Sequence, residues 1–189
     1  MEVTKISDQP LRSISKSFCD PQLMAELLEL AQKITETPQF QKVLQFSITS
    51  TKGEDIFEGT GSLYDYGKKE FTSSTDQFTI LNSVFKGSTF ETVYNQVSSI
   101  AKQYGVKIGR SRWMRLNPKT CLSLHWDPDE FRFHIPVKTN EKVFFVVDDV
   151  CYRMPEVGSL YLLNTTKLHT AVNASFETRD HLVFDTFKV

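Results

Sequence analysis

The apolar residues of this chain follow two different spacings along its length. In residues 21–34 and 89–104 they recur every three or four positions, which is typical of helices that bury one face. After residue 106, apolar and polar residues alternate in short runs separated by turn residues, which indicates β-strands. The pattern therefore predicts helices in the N-terminal half and a β-rich C-terminal half.

Local signals mark where both helices begin and where the second one ends. Asp20 followed by Pro21 predicts an N-cap and a first helical residue. Ser88 and Glu91 have the spacing of a capping box, and Gly105 can end the helix that they begin. Between the two helices, "VLQFSITS" (residues 43–50) alternates as a half-buried strand does.

Eight strand candidates follow one another in the C-terminal half. Eight short strands are what a double-stranded β-helix, or jelly roll, requires. We therefore predict an α+β, mainly β fold that forms one compact unit: residues 107–189 are a jelly-roll catalytic core, and residues 1–106 are a helical and strand extension with its helices packed on the outside. The candidate strands are "GRSRWMRL", "CLSLHW", "FRFHIPV", "KVFFVV", "VCYRM", "GSLYLL", "LHTAVN" and "RDHLVFDTF".

Composition and charge narrow the possible classes of protein. A chain with 40% hydrophobic and 24% charged residues fits a globular domain rather than a disordered one. The net charge of -1 provides no general positive field, so nucleic-acid binding is not favoured. Three cysteines at no metal-binding spacing favour a reducing, cytoplasmic setting. We see no signal peptide and no apolar run that could span a bilayer, and so expect no membrane association.

The histidines suggest where the chemistry lies, because all four fall after residue 124. Alternation along a strand places His125 and Asp127 on the same face. A second histidine, His169, lies on a later strand. Two histidines and one carboxylate form the facial triad of non-haem Fe(II) oxygenases. These three residues are therefore the candidate metal ligands.

An arginine ten residues beyond His169 makes this pattern more specific. A dicarboxylate cosubstrate that is held at iron by one end needs a cation for its other end, and the guanidinium of Arg179 matches a carboxylate with two parallel hydrogen bonds. Arg132 and His134 share a face of another strand. They either contact the cosubstrate or belong to an ion-pair network with Asp148, Asp149 or Glu130. The fourth histidine, His181, is interpreted as a hydrogen-bonded core or surface residue.

A run of basic residues precedes the candidate site and allows two interpretations. It is either a solvated edge strand guarded by charge or an approach surface for an acidic peptide, with nucleic acid as the less favoured partner. The run consists of Lys102, Lys107, Arg110, Arg112, Arg115 and Lys119.

Residues 109–189 resemble the 2-oxoglutarate and Fe(II)-dependent dioxygenases, most closely the aspartyl/asparaginyl β-hydroxylase group. The matching segments are "RLNPKTCLSLHWD", "FRFHIPV", "VGSLYLLNTTKLHTAVN" and "RDHLVFD". The resemblance implies that His125, Asp127 and His169 bind Fe(II). It also implies that Arg179 holds the distal carboxylate of 2-oxoglutarate, with Arg132 and His134 near the carboxylate that chelates iron.

The function implied is an oxygenase that uses Fe(II), 2-oxoglutarate and dioxygen to hydroxylate a C–H bond of a protein, peptide or free amino acid. Two alternatives stay open from the residues alone. One is a cupin-like metal protein with non-oxidative chemistry, or a zinc hydrolase, that uses the same ligands; Arg179 disfavours it, since a hydrolase has no need of a cation there. The other is a metal-free jelly roll that serves as a structural or binding module. The sequence predicts neither the substrate nor the oligomeric state.

Overall fold

The structure, a computed structural model, describes residues 9–65, 67–127 and 131–188. Glu130, one proposed partner of Arg132, lies outside these ranges. The predicted domain division between residues 106 and 107 stays a prediction. The helices described are α1 (Pro21–Thr35), α2 (Pro38–Val43) and α3 (Thr89–Gln103), with 3-10 turns at Thr75–Gln77 and Ser83–Phe85. None of the described helices has the length and apolar character needed to cross a membrane.

The strands form two main antiparallel sheets, so the prediction of a mainly β fold is confirmed. A six-stranded sheet has the order β1-β12-β9-β14-β7-β2, and a four-stranded sheet has the order β11-β10-β13-β8. The two strand pairs β3-β6 and β4-β5 are separate. The strands are β1 (Leu11–Ser15), β2 (Gln45–Ser47), β3 (Thr49–Ser50), β4 (Tyr64–Asp65), β5 (Glu70–Phe71), β6 (Ile80–Leu81), β7 (Val106–Leu116), β8 (Thr120–Cys121), β9 (Arg132–Lys138), β10 (Val143–Val147), β11 (Val150–Tyr152), β12 (Leu160–Leu163), β13 (His169–Asn173) and β14 (Arg179–Lys188).

The largest apolar core lies between the helices and the six-stranded sheet. Phe46 of β2 stacks on Trp113 of β7 with ring centroids 5.7 Å apart, and it also contacts Phe85 and Phe90. Leu27 of α1 and the apolar stripe of α3 join the same cluster. The helices thus cover one face of the sheet, as the sequence predicted. The other face points towards the four-stranded sheet.

The helix ends agree with the capping signals predicted from the sequence, except in one detail. The Asp20 carboxylate accepts a hydrogen bond from Leu23 N at 2.9 Å, and Pro21 is the first residue of α1. Ser88 caps α3 by accepting from Phe90 N. Glu91 does not complete the capping box, because its carboxylate accepts from Gly87 N and not from Ser88 N. Gly105 follows α3 with a φ of +72°, the left-handed conformation that glycine adopts readily.

The segment "VLQFSITS" was predicted to be one strand, but the structure divides it between a helix end and two short strands. Val43 is the last residue of α2, and Leu44 ends that helix with a φ of +56°. Strand pairing begins at Gln45 and is interrupted at Ile48. Alternation over eight residues did not reveal that the first two belong to a helix end. Strand β1, which pairs with β12, was not predicted either.

All eight C-terminal strand candidates contain a strand. The second is much shorter than predicted, because β8 ends at Cys121 and pairing resumes only as a bridge between His125 and His169. Its alternate residues do not form a buried apolar face: Leu124 is 57% exposed and Trp126 is 62% exposed. The irregular stretch nevertheless carries His125 and Asp127 to the edge of the four-stranded sheet.

Candidate metal and cosubstrate site

A cavity lies between the two main sheets and opens beside the candidate metal ligands. The six-stranded sheet contributes Arg132, His134 and Arg179 to its lining, and the four-stranded sheet contributes Phe145 and His169. This lining fits a ligand pocket that has an apolar wall and a few convergent polar groups.

The structure brings the three predicted metal ligands together at this cavity. One ligand atom from each of His125, Asp127 and His169 lies within 4.8 Å of the others. Oδ2 of Asp127 is 3.5 Å from Nε2 of His169 and 3.9 Å from Nε2 of His125. The bridge between the two histidines fixes their backbones, because each peptide N–H donates to the carbonyl of the other, at 3.0 and 2.7 Å.

Backbone carbonyls determine which ring nitrogen of each histidine is free. Nδ1 of His125 donates to the carbonyl of Ser123 at 2.6 Å, and Nδ1 of His169 donates to the carbonyl of Lys167 at 2.9 Å. A carbonyl only accepts, so the proton is on Nδ1 and the lone pair is on Nε2 in both rings. Metal-binding histidines are commonly oriented in this way. Both Nε2 atoms are the ones nearest to Asp127.

A chain of ion pairs leads from Asp127 into the interior. Nη1 of Arg132 is 2.9 Å from Oδ2 of Asp127, and Nε of Arg132 is 2.8 Å from Oδ1 of Asp185. Arg110 and Arg112 also contact Asp185, at 2.8 and 3.0 Å. Burial alone would raise the pKa of Asp185, but the three guanidinium groups hold it well below its usual range. Asp185 is therefore the anion around which these arginines are packed.

This network corrects both interpretations of the basic run. Strand β7 is not an edge strand, because it lies between β14 and β2. Arg110 and Arg112 are buried, and Arg115 pairs with Asp180 at 2.7 Å on the opposite face of the sheet. Three of the six basic residues thus have internal roles, and the run does not form a continuous basic surface.

Arg179 and His134 line the inner end of the cavity, and His181 contacts both of them. Nη2 of Arg179 is 2.9 Å from Nδ1 of His181, and its guanidinium lies 5.1 Å from the ring centroid of Phe145. The rings of His134 and His181 are 5.7 Å apart and nearly perpendicular. All three polar residues are at most 5% exposed.

Several nitrogen atoms at this inner end have no hydrogen-bond partner among the described residues. They are both ring nitrogens of His134, Nε2 of His181 and Nε of Arg179. Burial, together with the charge of Arg179, lowers the pKa of both histidines well below 6.5, so both rings are neutral at neutral pH. Buried polar groups normally have partners, and a cluster without them indicates a place where a polar ligand binds.

Sequence reasoning assigned six residues to this site; five of them line the cavity, and the sixth, Asp127, lies beside His125 and His169. It missed Asp185, and it interpreted His181 as a hydrogen-bonded core or surface residue. Alternation along β14 was the available signal, because Arg179, His181 and Asp185 are separated by even intervals and so share a face with Val183, which lines the cavity.

Comparison with known proteins identifies a family. A family model described as aspartyl/asparaginyl β-hydroxylase matches residues 22–188. A search of curated protein sequences finds no match.

Solved structures share the fold at low sequence identity. An oxidoreductase of the 2OG-Fe(II) oxygenase family from Burkholderia pseudomallei is 14% identical, with a TM-score of 0.63 over 94% of this chain and 84% of that chain. A prolyl-4-hydroxylase from Pseudomonas putida is 8% identical, with a TM-score of 0.59 over 96% of this chain and 94% of that chain. The viral collagen prolyl hydroxylase from Paramecium Bursaria Chlorella virus-1 is 10% identical, with a TM-score of 0.58 over 96% of this chain and 98% of that chain.

Proposed function

The chain belongs to the aspartyl/asparaginyl β-hydroxylase family, and on that premise we propose that it is an Fe(II)- and 2-oxoglutarate-dependent dioxygenase that hydroxylates a C–H bond of an amino-acid side chain. The observation that carries the proposal is the convergence of His125, Asp127 and His169 beside a cavity that is lined by a buried arginine, Arg179. The fold of the solved oxygenases, shared over almost the whole chain, supports it.

The donor set fits Fe(II). Two imidazole Nε2 atoms with free lone pairs and one carboxylate oxygen are the ligands of the two-histidine, one-carboxylate site, which leaves the other coordination positions open. Their orientation is set by the carbonyls of Ser123 and Lys167 and by the ion pair between Asp127 and Arg132. We infer that this triad holds the metal.

The inner end of the cavity fits the rest of 2-oxoglutarate. Arg179 would receive the distal carboxylate, since its guanidinium is buried and can make paired hydrogen bonds to a carboxylate. His134, whose ring nitrogens have no partner in the described part of the chain, would donate to the cosubstrate closer to the metal. Arg132 lies beside Asp127, and its role at the metal-chelating carboxylate stays a prediction.

When bound, the iron and 2-oxoglutarate supply an oxidative reaction with dioxygen: one oxygen atom enters succinate as carbon dioxide is lost, and the other enters the substrate C–H bond. The protein's own residues orient these groups and shield them from water. His134 and Arg179 would hold the cosubstrate in one pose, and Phe145 provides an apolar wall beside both.

The finer assignments belong to the same proposal. We interpret the two facing sheets as a jelly roll, with residues 107–189 as its catalytic core and residues 1–106 as the extension that packs on it. The substrate would be a protein, peptide or free amino acid, in a cytoplasmic setting. Two of the structural neighbours are prolyl hydroxylases, which supports an amino-acid side chain as the target class.

The buried arginine favours this function over the alternatives. A zinc hydrolase or cupin-like enzyme has no need of a buried guanidinium in the lining of this cavity, and a metal-free module has no need of two histidines oriented towards one carboxylate. Arg179 is 3% exposed, and keeping its charge there is costly without an anion.

Metal binding by the triad is the first test. Calorimetric titration with Mn(II), a redox-stable probe, should show one ion per chain in the wild type and greatly weakened binding in His169→Ala. Lys167→Ala is the matched control, because it changes the same segment but keeps the carbonyl that accepts from His169. Equal Mn(II) affinity in wild type and His169→Ala would contradict the proposal.

A further inference from the structure

The buried arginines of this protein are held in two different ways. Arg110, Arg112 and Arg132 all contact the carboxylate of Asp185. Arg179 instead donates to the imidazole of His181. Asp180, its neighbour in sequence, points to the other face of the sheet and pairs with Arg115. Among the described residues, therefore, Arg179 is the one buried arginine that contacts no carboxylate.

The protonation of His181 follows from this contact. A guanidinium group has donors only, so Nδ1 of His181 must accept, and the proton of the ring is on Nε2. The acceptor is therefore neutral. A neutral acceptor orients the guanidinium without cancelling its positive charge, whereas an aspartate in the same place would occupy its donors and neutralise it.

We propose that His181 is a positioning residue that holds Arg179 for the distal carboxylate of 2-oxoglutarate. The inference rests on the proposed function, and it assigns a role to a residue that does not itself line the cavity. Three features fix the guanidinium: the hydrogen bond to His181, the ring of Phe145 at 5.1 Å and its own strand. The Nε atom of Arg179 finds no partner within the described ranges, which is consistent with a bound anion completing its hydrogen bonds.

Three substitutions separate the possible roles of His181. His181→Asn keeps a neutral acceptor at the position of Nδ1. His181→Phe keeps the ring shape and its contacts with His134 and Phe145 but has no acceptor. His181→Asp keeps an acceptor but adds a negative charge beside Arg179. If the side chain only fills space, the phenylalanine variant should be the mildest of the three.

The measurement is calorimetric titration of the Mn(II)-loaded protein with 2-oxoglutarate and with 2-oxobutyrate, which lacks the distal carboxylate. For 2-oxoglutarate we expect His181→Phe to raise the Kd by about tenfold or more, since a hydrogen bond to a charged group is lost. His181→Asp should raise it further, and His181→Asn should stay within about threefold of wild type. The Kd for 2-oxobutyrate and for Mn(II) should not change.

The outcomes distinguish the inference from the proposed function. Wild-type affinity for 2-oxoglutarate in His181→Phe, or equal weakening for 2-oxobutyrate, overturns the role of His181. If Arg179→Leu loses 2-oxoglutarate while all His181 variants keep it, the proposed function stands and the inference fails. If the Mn(II)-loaded wild type does not bind 2-oxoglutarate, both fail. Should His181→Phe not fold, Asn and Asp variants with equal affinity would overturn the inference.

Discussion

The two faces of the six-stranded sheet differ in chemistry, although the same strands supply both. On β9, Phe133 and Ile135 face the helices and belong to the large apolar core. Their neighbours Arg132 and His134 face the four-stranded sheet and line the cavity. The outer face is closely packed with aromatic rings. The inner face has a smaller apolar cluster, and beside it lie charged groups and histidine nitrogens that have no hydrogen-bond partner among the described residues.

This difference indicates where stability and function are located. Burial of large apolar side chains on the outer face contributes most of the favourable free energy of folding. The inner face adds less, because buried polar groups without partners cost free energy. Such groups can be retained because they bind ligands, since residues that serve function often lower the stability of the fold. Substitutions on the two faces should therefore behave differently.

The largest effect is expected at the centre of the outer face. Phe46→Ala removes a ring that packs against Trp113, Phe85 and Phe90, and should lower the free energy of unfolding by about 3–5 kcal/mol. Urea unfolding measures the change. The control is Phe176→Ala, an 81% exposed ring over Lys119, which should cost less than about 1 kcal/mol. Equal costs for the two variants would show that the outer face is not the main source of stability.

Asp185 is the exception on the inner face, because three arginines depend on it. Asp185→Asn leaves Arg110, Arg112 and Arg132 without their shared anion and should destabilise the fold by about 3 kcal/mol. Asp180→Asn is the matched control. Because its partner Arg115 is partly exposed, losing this ion pair should lower the free energy of unfolding by less than Asp185→Asn does. The same urea series gives both values. A smaller cost at position 185 than at position 180 would contradict the central role of Asp185.

The inner histidines should make stability depend on pH. The pKa of His134 and His181 lies well below 6.5 in the folded state, chiefly because of burial. Below pH 6.5 the unfolded chain binds protons that the folded chain does not, so stability is complete above that pH and is lost as pH falls towards the folded pKa. The expected slope is about 1.4 kcal/mol per pH unit for each histidine.

Urea unfolding between pH 5 and 7.5 measures this slope. Replacing one of the two histidines should remove its share, and His181→Phe is a suitable variant because the ring shape is kept. A pH-independent free energy of unfolding over this range would show that the two histidines are not held neutral by the fold.

The smallest change in stability is expected for His134→Leu. Neither ring nitrogen of His134 has a hydrogen-bond partner in the described part of the structure, so an apolar side chain should leave the free energy of unfolding within about 1 kcal/mol of wild type or raise it. Affinity for 2-oxoglutarate should nevertheless fall. On the outer face of the same strand, Ile135→Ala should cost about 2–5 kcal/mol. If His134→Leu lowers the free energy of unfolding as much as Ile135→Ala does, the proposed difference between the two faces is wrong.

Much of this organisation could be predicted from the sequence, because periodicity and capping are local. The two long helices, the eight C-terminal strand regions and the convergence of His125, Asp127 and His169 were all predicted. Helix α2 and strand β1 were missed, since α2 is only six residues long and β1 is defined by its pairing with β12. Local alternation also cannot show that the basic side chains of Arg110 and Arg112 are buried.

The roles of Asp185 and His181 were beyond local patterns for a different reason. Asp185 is defined by partners such as Arg110, which is 75 residues away in the chain. His181 contacts Arg179, only two residues away on the same strand, but the meaning of that contact depends on Arg179 meeting no carboxylate among the described residues. A sequence shows that such groups share a strand face, but it does not show which of them lack an internal partner.

The central claim is that the inner face binds Fe(II) and 2-oxoglutarate together. The most direct measurement is an anaerobic titration of the protein with Fe(II) and then 2-oxoglutarate, in which the visible charge-transfer band of the iron chelate is recorded for wild type, His169→Ala and Arg179→Ala. The account predicts the band in wild type and its loss or strong weakening in both variants. Metal binding without a band in wild type, or a band of wild-type strength in Arg179→Ala, would contradict it.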